Sequence, residues 1–130
     1  MHVFIGGAYN GKTDYVKGLY EQHQMVMLDG ELPEVAPACD VLVIKNLEKW
    51  LVTQNLEEDE QVVQTVLATV QTLEQQCRLV LIVTDMGRGV VPMEKQGRLL
   101  RDTCGRLYQA LFKEAEQVVR IWYGLAEQLK

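Results

Sequence analysis

Residues 2–13 read HVFIGGAYNGKT, an apolar run that enters two glycines and emerges at a Gly-Lys-Thr step. His2 to Ile5 has the length and composition of a short strand. Lys12 to Gln22 carries Val16, Leu19 and Tyr20 at the spacing of a half-buried helix. Between them Gly6, Gly7, Ala8, Tyr9, Asn10, Gly11, Lys12 and Thr13 fit the pattern G-x-x-x-x-G-K-[ST], in the strand-to-helix setting that the pattern requires. Glycines let successive backbone N–H groups converge on phosphate oxygens, and a helix start adds a favourable dipole. Lys12 is expected to reach the outer phosphates and the Thr13 hydroxyl to join a magnesium shell. The expected ligand is therefore a nucleoside triphosphate, ATP or GTP, with Mg²⁺. A plain glycine turn with a surface lysine is the alternative.

Working outward, Met25 to Leu28 and Val41 to Lys45 are two more apolar runs, separated by a loop with Asp29, Gly30, Pro33 and Pro37. Asn55 can cap a helix whose first turn holds Glu57, Glu58, Asp59 and Glu60, acids suited to the positive end of the helix dipole. Its apolar positions Val62, Val63, Val66, Leu67, Val70 and Leu73 recur at three- and four-residue steps, predicting a helix from near Leu56 to near Gln76. Arg78 to Thr84 holds the unbroken aliphatic run Leu79 to Val83, the signature of a central strand covered on both faces. A glycine-rich connection follows, then a long helix from about Met93 with Leu99, Leu100, Leu107, Leu111 and Ala115 as its buried stripe. Val118 to Tyr123 is a final apolar run closed by Gly124. Strands alternating with helices predict an α/β fold, a three-layer P-loop nucleotide-binding domain with a mainly parallel central sheet. Ligands of such sheets bind at the carboxyl ends of the strands, where the loops after Ile5 and Thr84 should meet.

Such sites usually place an acid after a second apolar strand to hold magnesium or its waters. Here Val41 to Ile44 ends in Lys45, a cation that cannot ligate a metal while protonated. Asp85, after the other buried strand, is the natural substitute for catalysis and for magnesium, and capping of the turn before Gly87 is its equal alternative. Asp40 precedes its strand and lies at the wrong end.

At 130 residues and about 150 per domain, residues 1–130 form one domain. A hydrophobic share of 48% excludes a disordered chain. Thirteen Lys and Arg against eighteen Asp and Glu leave a net charge of −5, which gives no basic field for nucleic acid or an anionic membrane. No aliphatic run approaches the roughly 18 residues of a membrane span, and the N-terminus lacks the pattern of a signal peptide, so a cytoplasmic location is expected. Cys39, Cys77 and Cys104 are odd in number and show no Cys-x-x-Cys spacing, arguing for reduced thiols over a disulfide framework or a zinc site. Trp50, Trp122 and Tyr123 are read as core before interface. Gly105, inside the long helix, suggests close packing against another element.

Beyond the glycine loop, the sequence Asp85, Met86, Gly87, Arg88, Gly89, Val90, Val91, Pro92 is followed by Arg101, Asp102, Gly105, Arg106 and Gln109, with Leu107 and Leu111 in step. The chain closes on Ala115, Glu116, Val118, Val119, Gly124, Leu125, Leu129 and Lys130. In these blocks it resembles the adenosylcobinamide kinase and adenosylcobinamide-phosphate guanylyltransferase family of cobalamin biosynthesis. The likeness covers the first fifteen residues and nearly everything after Leu79, and the joined blocks are more specific than a phosphate loop alone. That family commonly has glutamate where Asp85 stands and a carboxylate where Lys45 stands.

The resemblance implies a kinase that moves a terminal phosphoryl group from ATP or GTP to adenosylcobinamide or a related corrinoid. It also implies a homo-oligomer, the family being trimeric. The family's second reaction uses a guanylylated histidine in an Arg-x-x-x-His segment after the second strand. Here Asp29 to Cys39 holds neither histidine nor arginine and leaves no room for the family's helix. His23 precedes the second strand and His2 lies at the terminus, so no residue is assigned that role and guanylyl transfer is expected to be lost. Arg88 or Arg101 could stabilise transferred charge, with structural ion pairs as the alternative. Lys45 and the missing segment support a second function, a catalytically silent nucleotide-binding regulatory or assembly subunit. A small-molecule kinase with another acceptor stands third.

Overall fold

Leu79, Val80, Leu81, Ile82 and Val83 are all buried, none more than 3% exposed, in the middle of strand β4 (Arg78–Thr84). In the computed structural model, which describes residues 1–7, 11–85 and 94–130, β4 lies between β1 (His2–Gly6) and β3 (Val41–Lys45). With β2 (Met25–Asp29), β5 (Gln117–Trp122) and β6 (Leu125–Gln128) they form a six-stranded sheet in the order β2-β3-β4-β1-β5-β6. The first five strands are parallel and β6 runs antiparallel to β5. Leu81 sits opposite Val3 on one side and Ile44 on the other, so aliphatic side chains stack in rows across the sheet, as a doubly covered parallel sheet demands.

Both faces are covered, and the two-residue alternation of strands assigns the side chains. One face puts Val3, Leu42, Ile44, Leu79, Leu81 and Val83 into a single core with the helices α2 (Leu47–Leu51), α3 (Asp59–Gln76) and α4 (Lys95–Glu114). The opposite face packs Phe4, Val41, Val43, Val80, Ile82, Val119 and Ile121 around Val16 and Tyr20 of the segment that begins with α1 (Lys12–Leu19). The expected three layers are present. Val62, Val63, Val66, Val70 and Leu73 of α3 are all buried, as their spacing requires. Asn55 accepts a hydrogen bond from Glu57 N at 3.2 Å, and a short 3-10 turn at Leu56–Glu58 leads into α3. Among the described residues no helix is long and apolar enough to cross a membrane.

Several expectations are corrected. The first helix ends at Leu19 and not Gln22, because Gly18 weakens its last turn and His23 N bonds back to Tyr20 O at 2.9 Å, closing a turn. The expected start of the long helix at Met93 lies outside the described residues, as do Met86 to Pro92; the described helix begins at Lys95. Gly105 is exposed, and a Cβ built there would meet nothing within 4 Å, so no close packing among the described residues requires it. Gly105→Ala is therefore expected to raise stability by about 0.5–1 kcal/mol through helix propensity alone. A shift of the urea midpoint to higher concentration checks this, and a lower midpoint refutes it.

The last apolar run is one arm of a hairpin. Tyr123 and Gly124 both have positive φ, 52° and 74°, the geometry of a two-residue turn whose twist matches the flanking strands. Trp122 and Tyr123 are consequently 48% and 80% exposed and not core residues, whereas Trp50 packs partly buried against the larger core. Cys39, Cys77 and Cys104 are free thiols.

Candidate functional site

Because the strands are parallel, Gly6, Asp29, Lys45 and Thr84 all end at the same edge of the sheet. The backbone stitches that edge together: Asp85 N donates to Gly6 O at 3.0 Å and Gly30 N donates to Lys45 O at 2.8 Å. Gly6 is wedged against β5, where any Cβ would collide with the Ile121 carbonyl oxygen. Gly11 takes a left-handed φ of 81° immediately before α1, a conformation that favours glycine, and its carbonyl receives Tyr15 N at 3.0 Å. Ala8, Tyr9 and Asn10, expected in the phosphate-binding loop, lie outside the described residues.

Lys12 is the first residue of α1 and only 9% exposed. Its Nζ reaches back across the loop and donates to Gly7 O at 2.6 Å. Burial pushes its pKa below the ordinary lysine value, and the nearby Glu48 charge works in the opposite direction. A desolvated ammonium at a helix start next to a glycine loop is an anion-seeking group, because an incoming phosphate would restore the counter-charge that burial removed. Thr13 follows, half-buried, on a cleft of about 510 Å³ shared with Lys12, Lys45, Asn46, Glu48 and Thr84.

Glu48 is the functional candidate missing from the residues singled out above. After β3, Asn46 turns the chain with a φ of 56°. Leu47 and Leu51, four apart, then bury one side of the short helix α2, and Glu48 falls on the cleft wall. Its Oε2 atom is buried with no hydrogen-bond partner among the described residues. The Tyr108 hydroxyl from α4 is also buried, beside the Cys104 thiol. Its pKa is driven up chiefly by burial and further by the charges of Cys104, Glu48 and Asp85. Burial likewise lifts the Cys104 thiol to about 11, so it is a thiol and not a reactive thiolate. At the cleft's outer rim Asp29 accepts from Asn46 at 2.7 Å and from Lys49 at 3.2 Å; these two bonds hold its carboxyl below the usual range.

Asp85 reaches the same edge but opens on a neighbouring hollow of about 200 Å³, bounded by Gly6, Gly7, Phe112, Arg120 and Trp122. Thr13 and Asp85 thus line adjacent hollows on either side of the glycine turn. Arg101 pairs with its neighbour Asp102 at 3.1 Å, and Arg106 pairs with Asp59 on α3; both act as structural ion pairs. Arg88 lies outside the described residues. His2 contacts Glu116 at 3.2 Å, at the start of β1, and His23 stacks edge-on to Tyr20 ahead of β2. Both histidines therefore belong to the opposite edge of the sheet. Among the described residues no three His, Cys, Asp or Glu side chains form a metal cage.

A family model described as cobinamide kinase / cobinamide phosphate guanyltransferase matches residues 16–129. The match begins just after the glycine loop and takes in α2, α3, α4 and the terminal hairpin. No curated protein matches the chain.

Proposed function

The chain belongs to the cobinamide kinase / cobinamide phosphate guanyltransferase family, and from that membership we propose that it performs the kinase reaction alone. The terminal phosphoryl group of ATP or GTP passes to a hydroxyl of adenosylcobinamide or a related corrinoid. Gly6, Gly7, Ala8, Tyr9, Asn10, Gly11, Lys12 and Thr13 form the phosphate loop. The observation that carries this reading is the buried Lys12 ammonium, held at 2.6 Å from Gly7 O across the loop. When nucleotide enters, Lys12 exchanges that neutral carbonyl for charged phosphate oxygens, a stronger bond in a desolvated setting. Phosphoryl transfer asks mainly for positioning and charge stabilisation of this kind.

Magnesium, if bound, would be held by the Thr13 hydroxyl and would neutralise charge on the phosphates. On the other side of the turn, Asp85 borders a hollow of about 200 Å³ walled by Phe112 and Trp122, room for the hydroxyl-bearing arm of the acceptor and not for a whole corrinoid. There Asp85 takes the acceptor's hydroxyl proton as the new O–P bond forms and the bond to the departing diphosphate breaks. Both histidines are remote from this edge, which supports the loss of guanylyl transfer. The exposed Trp122, Tyr123, Leu125 and Leu129 on and after the edge hairpin support self-association, since an unpaired apolar edge invites a second chain.

Lys45 in place of the family's carboxylate favours a second reading, a silent nucleotide-binding subunit. Mass spectrometry of adenosylcobinamide incubated with the protein, Mg²⁺ and ATP or GTP separates the two. The expected result is a phosphorylated corrinoid, with no GMP attached to protein or product. Bound nucleotide without product would instead support the silent subunit, and GMP transfer would overturn the loss of the second activity.

A further inference from the structure

We propose that Glu48 is the acid that faces the metal-bound phosphates in this chain, taking over from the carboxylate that Lys45 has displaced. The inference rests on the phosphate-loop reading above and concerns the same cleft. Three observations converge on it. Glu48 shares the cleft wall with Thr13 and Lys12. Its Oε2 atom is buried and has no hydrogen-bond donor among the described residues. Lys12, the adjacent buried cation, directs its Nζ to Gly7 O and makes no hydrogen bond to that Glu48 oxygen.

A carboxylate oxygen removed from water without a partner is costly. Beside an anionic triphosphate it would add repulsion, unless a divalent cation or its water shell lay between the two. Glu48 and Thr13 together offer one carboxylate and one hydroxyl, oxygen donors of the kind that magnesium accepts while keeping its phosphate and water ligands. The backbone explains how the acid could move. The left-handed turn at Asn46 starts α2 directly after β3, so a residue three positions beyond the strand comes back over the cleft. Lys45, at the end of the strand, lines that cleft as well.

Calorimetric titration with ATP and with GTP, each with and without Mg²⁺, is compared for the unmodified chain and Glu48→Gln. Gln keeps the shape and removes the charge. The unmodified chain is expected to bind nucleotide more tightly with Mg²⁺. In Glu48→Gln that gain should fall by about 10- to 100-fold, while metal-free nucleotide binds at least as tightly as before. A carboxylate that only supports the fold or Lys12 would leave the Mg²⁺ gain intact, and that result overturns the assignment of Glu48. So does nucleotide binding by the unmodified chain that shows no Mg²⁺ gain. Failure of the unmodified chain to bind either nucleotide overturns the phosphate-loop reading itself. Glu48→Ala, scored in the same way, serves if the Gln variant does not fold.

Discussion

Lys12→Ala is expected to lower turnover about 10²- to 10³-fold and nucleotide affinity about 10- to 100-fold, the value of a charged hydrogen bond to phosphate in a desolvated site. The fold should survive. The cost of burying the ammonium, visible in its lowered pKa, offsets much of what its bond to Gly7 O contributes, so the unfolding temperature should change little. Thermal unfolding and nucleotide titration of the same sample check both halves. An affinity equal to that of the unmodified chain would remove Lys12 from the site. The lowered pKa adds a pH dependence. The triphosphate favours protonated Lys12, and the free protein gives up that proton at lower pH than an exposed lysine would. Affinity should therefore decline as pH rises through the lowered value, and Lys12→Arg should flatten the decline because guanidinium stays charged.

How far this site is legible in the sequence depends on the length scale of each signal. The run Leu79 to Val83 and the stripe Val62, Val63, Val66, Val70, Leu73 are long enough for periodicity to fix both element and face, and every one of these residues is buried. Gly6, Gly7, Lys12 and Thr13 stand out in the sequence because the proposed phosphate loop demands those residue types at that spacing. Glu48 is not legible in this way. A five-residue helix has too few turns to show a period, and an acid sought at the end of β3 is found only after the φ of Asn46 is known. The one sequence signal is the Leu47 and Leu51 pair, four apart, which anchors one side of α2 and leaves Glu48 beside it. Strand β6 is hidden for another reason: Leu125, Ala126, Glu127 and Gln128 are all exposed, so no apolar alternation marks them. The Tyr-Gly pair at 123–124 is then the only local cue to the hairpin.

The departure at Lys45 is less disruptive in three dimensions than in one. Phosphoryl transfer needs negative charge balanced around the nucleotide, and Lys45 and Glu48 line the same cleft. Lys49, next on α2, has its charge drawn to the rim by Asp29 at 3.2 Å, which keeps it from competing with Lys12 inside. A lysine at the strand end is therefore compatible with catalysis, provided that the acid one helical step away does the balancing.

Gly6→Ala should destabilise the protein through a single added methyl. The added Cβ would strike the Ile121 carbonyl oxygen and press to 3.3 Å from Lys12 Cδ. The first is a backbone atom held between paired strands, since β1 and β5 run in parallel register from His2 opposite Gln117 to Ile5 opposite Arg120. It cannot rotate away as a side chain would, so relief requires β1 to part from β5 at the mouth of the glycine loop. Overpacking of this kind costs about 1–3 kcal/mol, and a rigid partner puts Gly6 at the upper end. At roughly 3–5 °C per kcal/mol for a domain of this size, the unfolding temperature should fall by about 10 °C. The same displacement moves Lys12, so nucleotide affinity should drop even at temperatures where the variant is fully folded. Gly18→Ala is the internal control: it adds the same methyl on α1 where nothing lies within 4 Å, and helix propensity makes it neutral or stabilising. If Gly6→Ala matches that control in both melting temperature and nucleotide affinity, the glycine is dispensable and the tight junction of β1 with β5 does not shape the loop.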